Sequence, residues 1–275
     1  RPNGQHAVAL TSTPAISDRD PAWSADGTKI ALHRSDGMGM ITGIWTMNAD
    51  GTGLAMVPNT DGGFSAAWSP DGTQLVFVCP EPFGDDTEIC TVNADGSGLT
   101  QLTANSAFEG GPAWSPDGSE IAFSRAPAAE SSTRLVAIDP ATLMERFITP
   151  SVAGQHDSSP DWSPDGSRLA FNRFVTGSGQ GGAIHTVAAD GSDVQLVSAP
   201  APGTDIHHIT PAWAPSGKRI AFSAADDDGA FGHIFTIRPN GNALKQITSG
   251  DVTDLDPSWR PVSGRLRAGD VAPGR

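Results

Sequence analysis

Residues 114–123 read WSPDGSEIAF, and nearly the same phrase starts at Trp68 (WSPDGTQLVF) and at Trp162 (WSPDGSRLAF). Looser copies begin at Trp23 (WSADGTKIAL) and Trp213 (WAPSGKRIAF), and a degraded sixth begins at Trp259 (WRPVSGRLRA). Successive tryptophans lie 45, 46, 48, 51 and 46 residues apart, so six of the seven tryptophans hold one repeat position. A fixed period of this length marks a repeat architecture, each unit being one supersecondary element that buries its faces against its neighbours.

Working outward from the tryptophan, each unit reads as four strands. A first strand ends at Trp and runs into Ser-Pro-Asp-Gly, where Pro presets φ, Asp caps the turn and Gly accepts positive φ. The run that follows, Ile121-Ala122-Phe123 or Leu75-Val76-Phe77-Val78, is apolar without alternation, as a strand covered on both faces requires. A third strand (Ile44 to Met47, Glu88 to Val92) ends in a second turn, Asn48-Ala49-Asp50-Gly51 or Asn93-Ala94-Asp95-Gly96, and Asp-Gly between apolar runs signals a hairpin. A fourth strand is expected at Leu99 to Thr103 and at Leu244 to Thr248. Four antiparallel strands in about 45 residues, repeated and buried on both faces, describe the blades of an all-β propeller. No stretch carries a clear 3.6-residue period, and Pro140 to Phe147 reads as a longer turn between third and fourth strands.

The WSPDG…IAF…NADGSG…LT pattern resembles the TolB-type β-propeller family. The resemblance covers residues 1–267 as a single domain, with residues 268–275 left as a flexible tail. It implies a six-bladed propeller of four-stranded antiparallel blades. Arg1-Pro2-Asn3-Gly4 matches the turn Arg238-Pro239-Asn240-Gly241, so His6 to Thr11 are expected as the outer strand of the last blade. That sixth blade is then shared by the two termini, with Trp259 on its inner strand, Arg265 to Ala268 as a poor second and no third. The incomplete count implies that the natural chain extends upstream of Arg1. The family usually places Tyr after Ile in the third strand; this chain has no Tyr, and the column reads Trp45, Cys90, Val136, His185 and Phe235, which makes His185 and Cys90 structural positions.

Composition narrows the function. The 275 residues are 37% hydrophobic with 32 glycines, enough for a real core, and the 22 prolines stay below the density of a low-complexity chain. With 17 basic against 31 acidic residues the formal charge is −14, and three lysines (Lys29, Lys218, Lys245) cannot build a general phosphate-backbone surface. Nucleic-acid partners are excluded on this ground, and no apolar run reaches the ~20 residues of a membrane span. The family resemblance implies an exported setting, periplasmic, secreted or at the cell surface, and the chain is expected to act as a monomer.

Candidate sites follow from the repeat. Cys79 and Cys90, the two cysteines, flank a turn on adjacent antiparallel strands, so a cross-strand disulfide and two buried thiols are both open readings; an even count in an exported-looking family favours the disulfide. The column five residues before each Trp reads Asp18, Gly63, Glu109, Asp157, His208 and Asp254, with Asp20, His156, His207 and Asp256 close by. On a propeller this column feeds the innermost strand at one mouth of the central channel. Asp18, Glu109, Asp157, His208 and Asp254 are therefore expected metal ligands: converging oxygens suit Ca²⁺, and an imidazole would admit Mn²⁺ or Zn²⁺. The competing reading makes these residues caps of the loop before Pro-Ala-Trp. His207 and His208 point to opposite faces of a strand, so at most one faces the channel. The turn aspartates Asp26, Asp71, Asp117 and Asp165 are structural, since every blade needs the same turn, and Asp226-Asp227-Asp228-Gly229 is a solvated hairpin tip.

No nucleophile elbow, zinc-protease motif or phosphate-binding glycine loop is present. The resemblance therefore implies a non-catalytic binding or scaffold propeller that takes a protein or peptide segment at the channel mouth, with or without a cation. Two alternatives stand beside it. One is a metal-assisted lyase or hydrolase acting on a saccharide, resting on His156, His207 and His208 among acids. The other is the regulatory propeller of a prolyl-oligopeptidase-like peptidase, whose catalytic domain would follow Arg275.

Overall fold

The computed structural model describes residues 8–13, 16–80, 86–226, 231–251 and 253–261. Its strands fall into five antiparallel groups of four, in chain order, the second and third joined by one parallel pairing of Thr87 with Phe108. Blade one holds β1 (Ser17–Trp23), β2 (Lys29–Ser35), β3 (Ile41–Asn48) and β4 (Ala55–Met56). Blade two holds β5 (Phe64–Trp68), β6 (Gln74–Pro80), β7 (Thr87–Asn93) and β8 (Thr100–Gln101). Blade three holds β9 (Ala107–Trp114), β10 (Ile121–Pro127), β11 (Arg134–Ile138) and β12 (Glu145–Phe147). Blade four holds β13 (Gln155–Trp162), β14 (Arg168–Val175), β15 (Ala183–Ala188) and β16 (Gln195–Ser198). Blade five holds β17 (Ile206–Trp213), β18 (Ile220–Asp226), β19 (Gly232–Ile237) and β20 (Lys245–Gln246). Every first strand ends on the repeat tryptophan, and the first strands of successive blades touch one another, which makes them the innermost.

The Ser-Pro-Asp-Gly turn is held by reciprocal bonds. In blade two Ser69 Oγ donates to Asp71 Oδ1 at 2.6 Å, Asp71 accepts from the Thr73 amide at 3.0 Å, and Ser69 Oγ accepts from the Gln74 amide at 2.9 Å. Blades one, three and four repeat the set on Asp26, Asp117 and Asp165. This end, which also carries the Asp-Gly turns between third and fourth strands, is called the lower end below.

The core lies between blades rather than within them. Ala122, Leu135 and Ile148 of blade three pack on Trp162, Leu169, Phe171 and Val187 of blade four. Ala170, Ile184 and Val197 of blade four pack on Trp213, Ile220 and Phe222 of blade five in the same way. Phe77, Phe123, Phe171 and Phe222 fill one repeat position and are fully buried.

The fourth strands are shorter than the sequence suggests: Thr100–Gln101 instead of Leu99 to Thr103, and Lys245–Gln246 instead of Leu244 to Thr248. A side chain takes over from the ladder. The amide of Ile89 donates to Thr103 Oγ1 and that of Ile234 to Thr248 Oγ1, each at 2.9 Å, and Thr149 serves Leu135 identically. Pro140 to Phe147 contains no helix; residues 139–144 form the turn and Glu145–Phe147 is β12.

Residues 253–261, expected as the inner strand of a last blade, pair with no strand. They run between blades five and one: Trp259 Nε1 donates to the Ala212 carbonyl at 3.0 Å, and Arg260 Nε donates to the Gly27 carbonyl at 3.2 Å while its guanidinium covers Trp23. Residues 8–11 likewise carry no strand. Arg1 to Gly4, residues 6 and 7, Arg265 to Ala268, the tail 268–275 and Asp227-Asp228-Gly229 lie outside the described residues.

Candidate functional site

Four of the six inner segments begin with a tie from a main-chain amide to the blade before. The amide of Asp157 donates to the Thr133 carbonyl, that of His208 to Gly182 and that of Asp254 to Gly232, each at 2.9 Å. The amide of Glu109 donates instead to Thr87 Oγ1, also at 2.9 Å. These residues are the column five before the tryptophan, so its first task is to join blades.

The side chains of that column go to arginines of their own blade. Asp18 takes Arg34 at 2.7 and 3.1 Å, Glu109 takes Arg125 Nε at 2.6 Å, and Asp157 takes Arg173 at 2.6 and 2.8 Å. In all three the arginine sits sixteen residues later, on the second strand facing the acid. Where the column has Gly63, the facing position is Cys79, disulfide-bonded to Cys90 with Cα atoms 5.8 Å apart. Where it has His208, the facing position is Ala224. In the five blades acid and arginine occur together or not at all. Burial pushes the Glu109 carboxyl above its usual range against the pull of Thr103, Asn105 and Arg125.

Three of the five expected metal ligands, Asp18, Glu109 and Asp157, are therefore engaged by arginine within their own blade, and His208 is engaged by Ser198 of the blade before. Among the described residues no group of three or more His, Cys, Asp or Glu side chains is placed to hold a metal ion. His208 is buried against Phe222, with ring centroids 4.8 Å apart, its Nδ1 lies 3.0 Å from Ser198 Oγ, and burial lowers its pKa to about 4, so it is neutral at pH 7. His207 points to the other face, where its Nδ1 accepts from the Gly182 amide at 2.9 Å. His156 reaches Thr133 and Thr176, both at 3.2 Å, and with His207 flanks Phe174. His185 lies over Phe171, as a core residue would. An arginine-neutralised carboxylate has little left for a cation, so adding Ca²⁺, Mn²⁺ or Zn²⁺ after EDTA is expected to leave the thermal midpoint within about 1 °C. A bound ion at 100 times its Kd would add about 2.7 kcal/mol and move it by several degrees.

A second column, three residues before the tryptophan, has no shared chemistry but one shared backbone. Asp20, Ser65, Gly111, Ser159, Thr210 and Asp256 all have positive φ, between 48° and 57°. In the five blades the strand pairing slips there, a β-bulge that turns the inner strand. Five of the six are not glycine, and Thr210 is β-branched, so the geometry is imposed by the surrounding packing. Two of these residues meet across the seam between residues 253–261 and blade one. Asp20 accepts from Ser65 Oγ at 2.6 Å, lies 3.4 Å from His33 Nδ1, and shares a hydrogen bond with the Asp256 carboxyl. Burial and the charge of Asp20 push Asp256 up to about 6. For Asp20 burial works upward too, but the His33 and Ser65 contacts outweigh it and hold the group below its ordinary range. Below about pH 6 one proton is thus held between two carboxyls.

Asp161 is an acid that sequence reading passed over. It interrupts a column of alanines (Ala22, Ala67, Ala113, Ala212) one residue before the tryptophan, which was the available signal. Its carboxylate accepts from the Trp213 amide of the next blade at 2.5 Å, and burial of the carboxyl raises it to about 7, although part of the residue's surface stays open. Both raised groups hold a proton in the folded chain that they lose when unfolded. Their contribution to stability is full below about pH 4 and is lost as pH rises through 6 for Asp256 and through 7 for Asp161, whereas His208, held neutral by burial, adds stability as pH rises from about 4 through 6.5. Between pH 4 and pH 8 in urea, Asp161→Asn and Asp256→Asn should each lose less stability than the wild type; variant profiles parallel to the wild type contradict the assignment.

With this geometry in hand, the chain was compared with known proteins. The family described as TolB beta propeller domain matches over residues 2–140. The Tol-Pal system protein TolB of Syntrophus aciditrophicus is 34% identical over 80 residues, 28% of this chain and 16% of that protein. A solved structure assigned to TolB from Agrobacterium tumefaciens superposes with a TM-score of 0.75 at 20% identity, covering 92% of this chain and 88% of that one. TolB from Acinetobacter baumannii gives 0.73 at 18% identity, over 92% of this chain and 59% of that one. The chain therefore spans little more than half of the Acinetobacter protein, and its match to the Syntrophus protein spans less than a fifth.

Proposed function

The chain belongs to the TolB β-propeller family, and from that premise we propose that it is an exported, non-catalytic binding propeller that takes a protein or peptide segment at the mouth of its channel. The observation that carries this reading is the engagement of the mouth acids. Asp18, Glu109 and Asp157 are committed to Arg34, Arg125 and Arg173, which makes the rim a rigid, pre-ordered frame. Pre-ordering lowers the entropy cost of binding and commits these three carboxylates to ion pairs rather than to acid–base work. Within the frame, Asp20 and Asp256 supply a local acidic spot that favours a basic residue in the bound segment. The Cys79–Cys90 bond fits an oxidising compartment.

The ring is read as six-bladed. Asp254 makes the same tie to blade five that Asp157 and His208 make to theirs, and Asp256 repeats the left-handed bulge. At the other side of the seam the Leu10 carbonyl crowds Gly51 as the Ile148 carbonyl crowds Gly191 and the Val197 carbonyl crowds Gly241. These contacts of Leu10, Asp254 and Asp256 support the reading of a last blade shared by the two ends of the chain.

Selection from a random peptide display library tests the function. Enriched sequences are expected to carry Lys or Arg, to lose at least tenfold in affinity for Asp20→Lys and Asp256→Lys, and to be recovered uncleaved. Failure to enrich any sequence, or cleavage of the bound peptide, would overturn the proposal.

A further inference from the structure

The lower ends of the blades are alike in backbone and unlike in charge. Blade four places three aspartates there, Asp165, Asp190 and Asp193, and the Arg168 guanidinium is satisfied by the Asp193 carboxylate at 2.7 Å, the Asp193 carbonyl at 2.6 Å and Thr186 Oγ1 at 3.2 Å. Blade five keeps the frame. Arg219 stands where Arg168 does, six residues after the tryptophan, and reaches the Ala243 carbonyl at 3.3 Å and Thr236 Oγ1 at 3.5 Å, the counterparts of two of those three partners. The third is missing: the positions of Asp165, Asp190 and Asp193 are Ser216, Asn240 and Ala243.

The same end of blade five gains cations. Lys218 precedes Arg219, Arg238 follows β19 beside it in register, and Lys245 pairs with Thr236 on β20. Lys218, Arg238 and Lys245 are exposed and Arg219 half-buried, and among the described residues none of the four makes an ion pair. Two of the three lysines of a chain carrying −14 are thus gathered at one blade end, while its neighbour, blade four, is acidic there.

We propose that the lower end of blade five is a docking site for an acidic peptide segment of a partner protein, whose carboxylate takes at Arg219 the place that Asp193 holds at Arg168. A carboxylate is the right occupant because the fourth blade shows what this arginine geometry accepts: a planar acid alongside a backbone carbonyl. The acidic remainder of the chain repels such a segment from other blade ends and steers it to this one. The site lies at the opposite end of the blades from the channel mouth and does not depend on the function proposed there.

Ala243→Asp is the informative variant. Ala243 has φ 57° and Asp193 has φ 51°, so aspartate at 243 adopts a conformation it tolerates and closes the ion pair internally. Fluorescence anisotropy at 50 mM salt with a labelled peptide of alternating Glu and Gly should show saturable binding to the wild type and none for the Gln–Gly analogue. Ala243→Asp, and separately Lys218→Gln with Lys245→Gln, should weaken it at least tenfold, with no fall in the Ala243→Asp midpoint, and raising salt to 200 mM should weaken the wild type. Absence of wild-type binding, equal binding by the variants, or tighter binding of a DNA duplex or anionic vesicles than of the peptide would overturn the proposal.

Discussion

Arg173→Ala is expected to destabilise the fold by about 3–5 kcal/mol, the cost of leaving a buried charge without its partner. The Asp157 side chain is 0% exposed and is gripped through both oxygens, with Arg173 itself 15% exposed. Removing the guanidinium leaves a buried carboxylate with the Gln155 side-chain amide, at 3.3 Å, as its remaining side-chain donor. For a chain of this length the loss should lower the thermal midpoint on the order of 10 °C. Replacing both residues together, Asp157→Leu with Arg173→Leu, should recover most of the loss, because the tie from the Asp157 amide to Thr133 is untouched and no charge remains buried. If the single variant unfolds at the wild-type midpoint, the column is not structural.

Phe171→Ala should cost a similar amount, about 3–5 kcal/mol, by a different route. Phe171 is fully buried between blades three and four, against Ala122, Leu135, Ala137 and Ile148. The sheets on both sides are tied by backbone bonds and cannot close over the void, so the loss should sit at the upper end of that range. Phe235→Ala is the contrast. Phe235 is half-buried on β19 and stacks on Phe222 at 5.8 Å, so its truncation opens less of a cavity and should cost distinctly less in a urea melt. Equal losses at 171 and 235 would mean that the inter-blade core does not carry the stability.

Most of the fold was legible because the turn chemistry repeats. Ser-Pro-Asp-Gly leaves few backbone choices, and a tryptophan at a constant phase of each unit shows where the inner strand stops. The candidate site was half legible. The acids before the tryptophan were visible when the repeats were read as a column, but their arginines lie on the facing strand, at Arg34, Arg125 and Arg173. Reading along each blade shows the pairing directly: acid with arginine in three blades, Gly63 with Cys79, His208 with Ala224. The bulge column was not legible at all. Asp20, Ser65, Gly111, Ser159, Thr210 and Asp256 share a backbone angle dictated by inter-blade packing, and no common side chain records it. The short fourth strands escaped for a related reason, since Thr103 and Thr248 replace ladder bonds with hydroxyls while keeping a strand-like composition.

The central claim, that a polypeptide segment binds where the inner strands begin, is tested most directly by photo-crosslinking from two positions on one protein. A benzophenone amino acid at Ser65, beside Asp20 at the seam, is compared with one at Leu143, in the exposed turn before β12 at the lower end. With a display-selected basic peptide present, position 65 is predicted to crosslink and position 143 to remain free, and unlabelled peptide should suppress the product. Crosslinking from position 143 alone, or equal yields from both, would contradict the account.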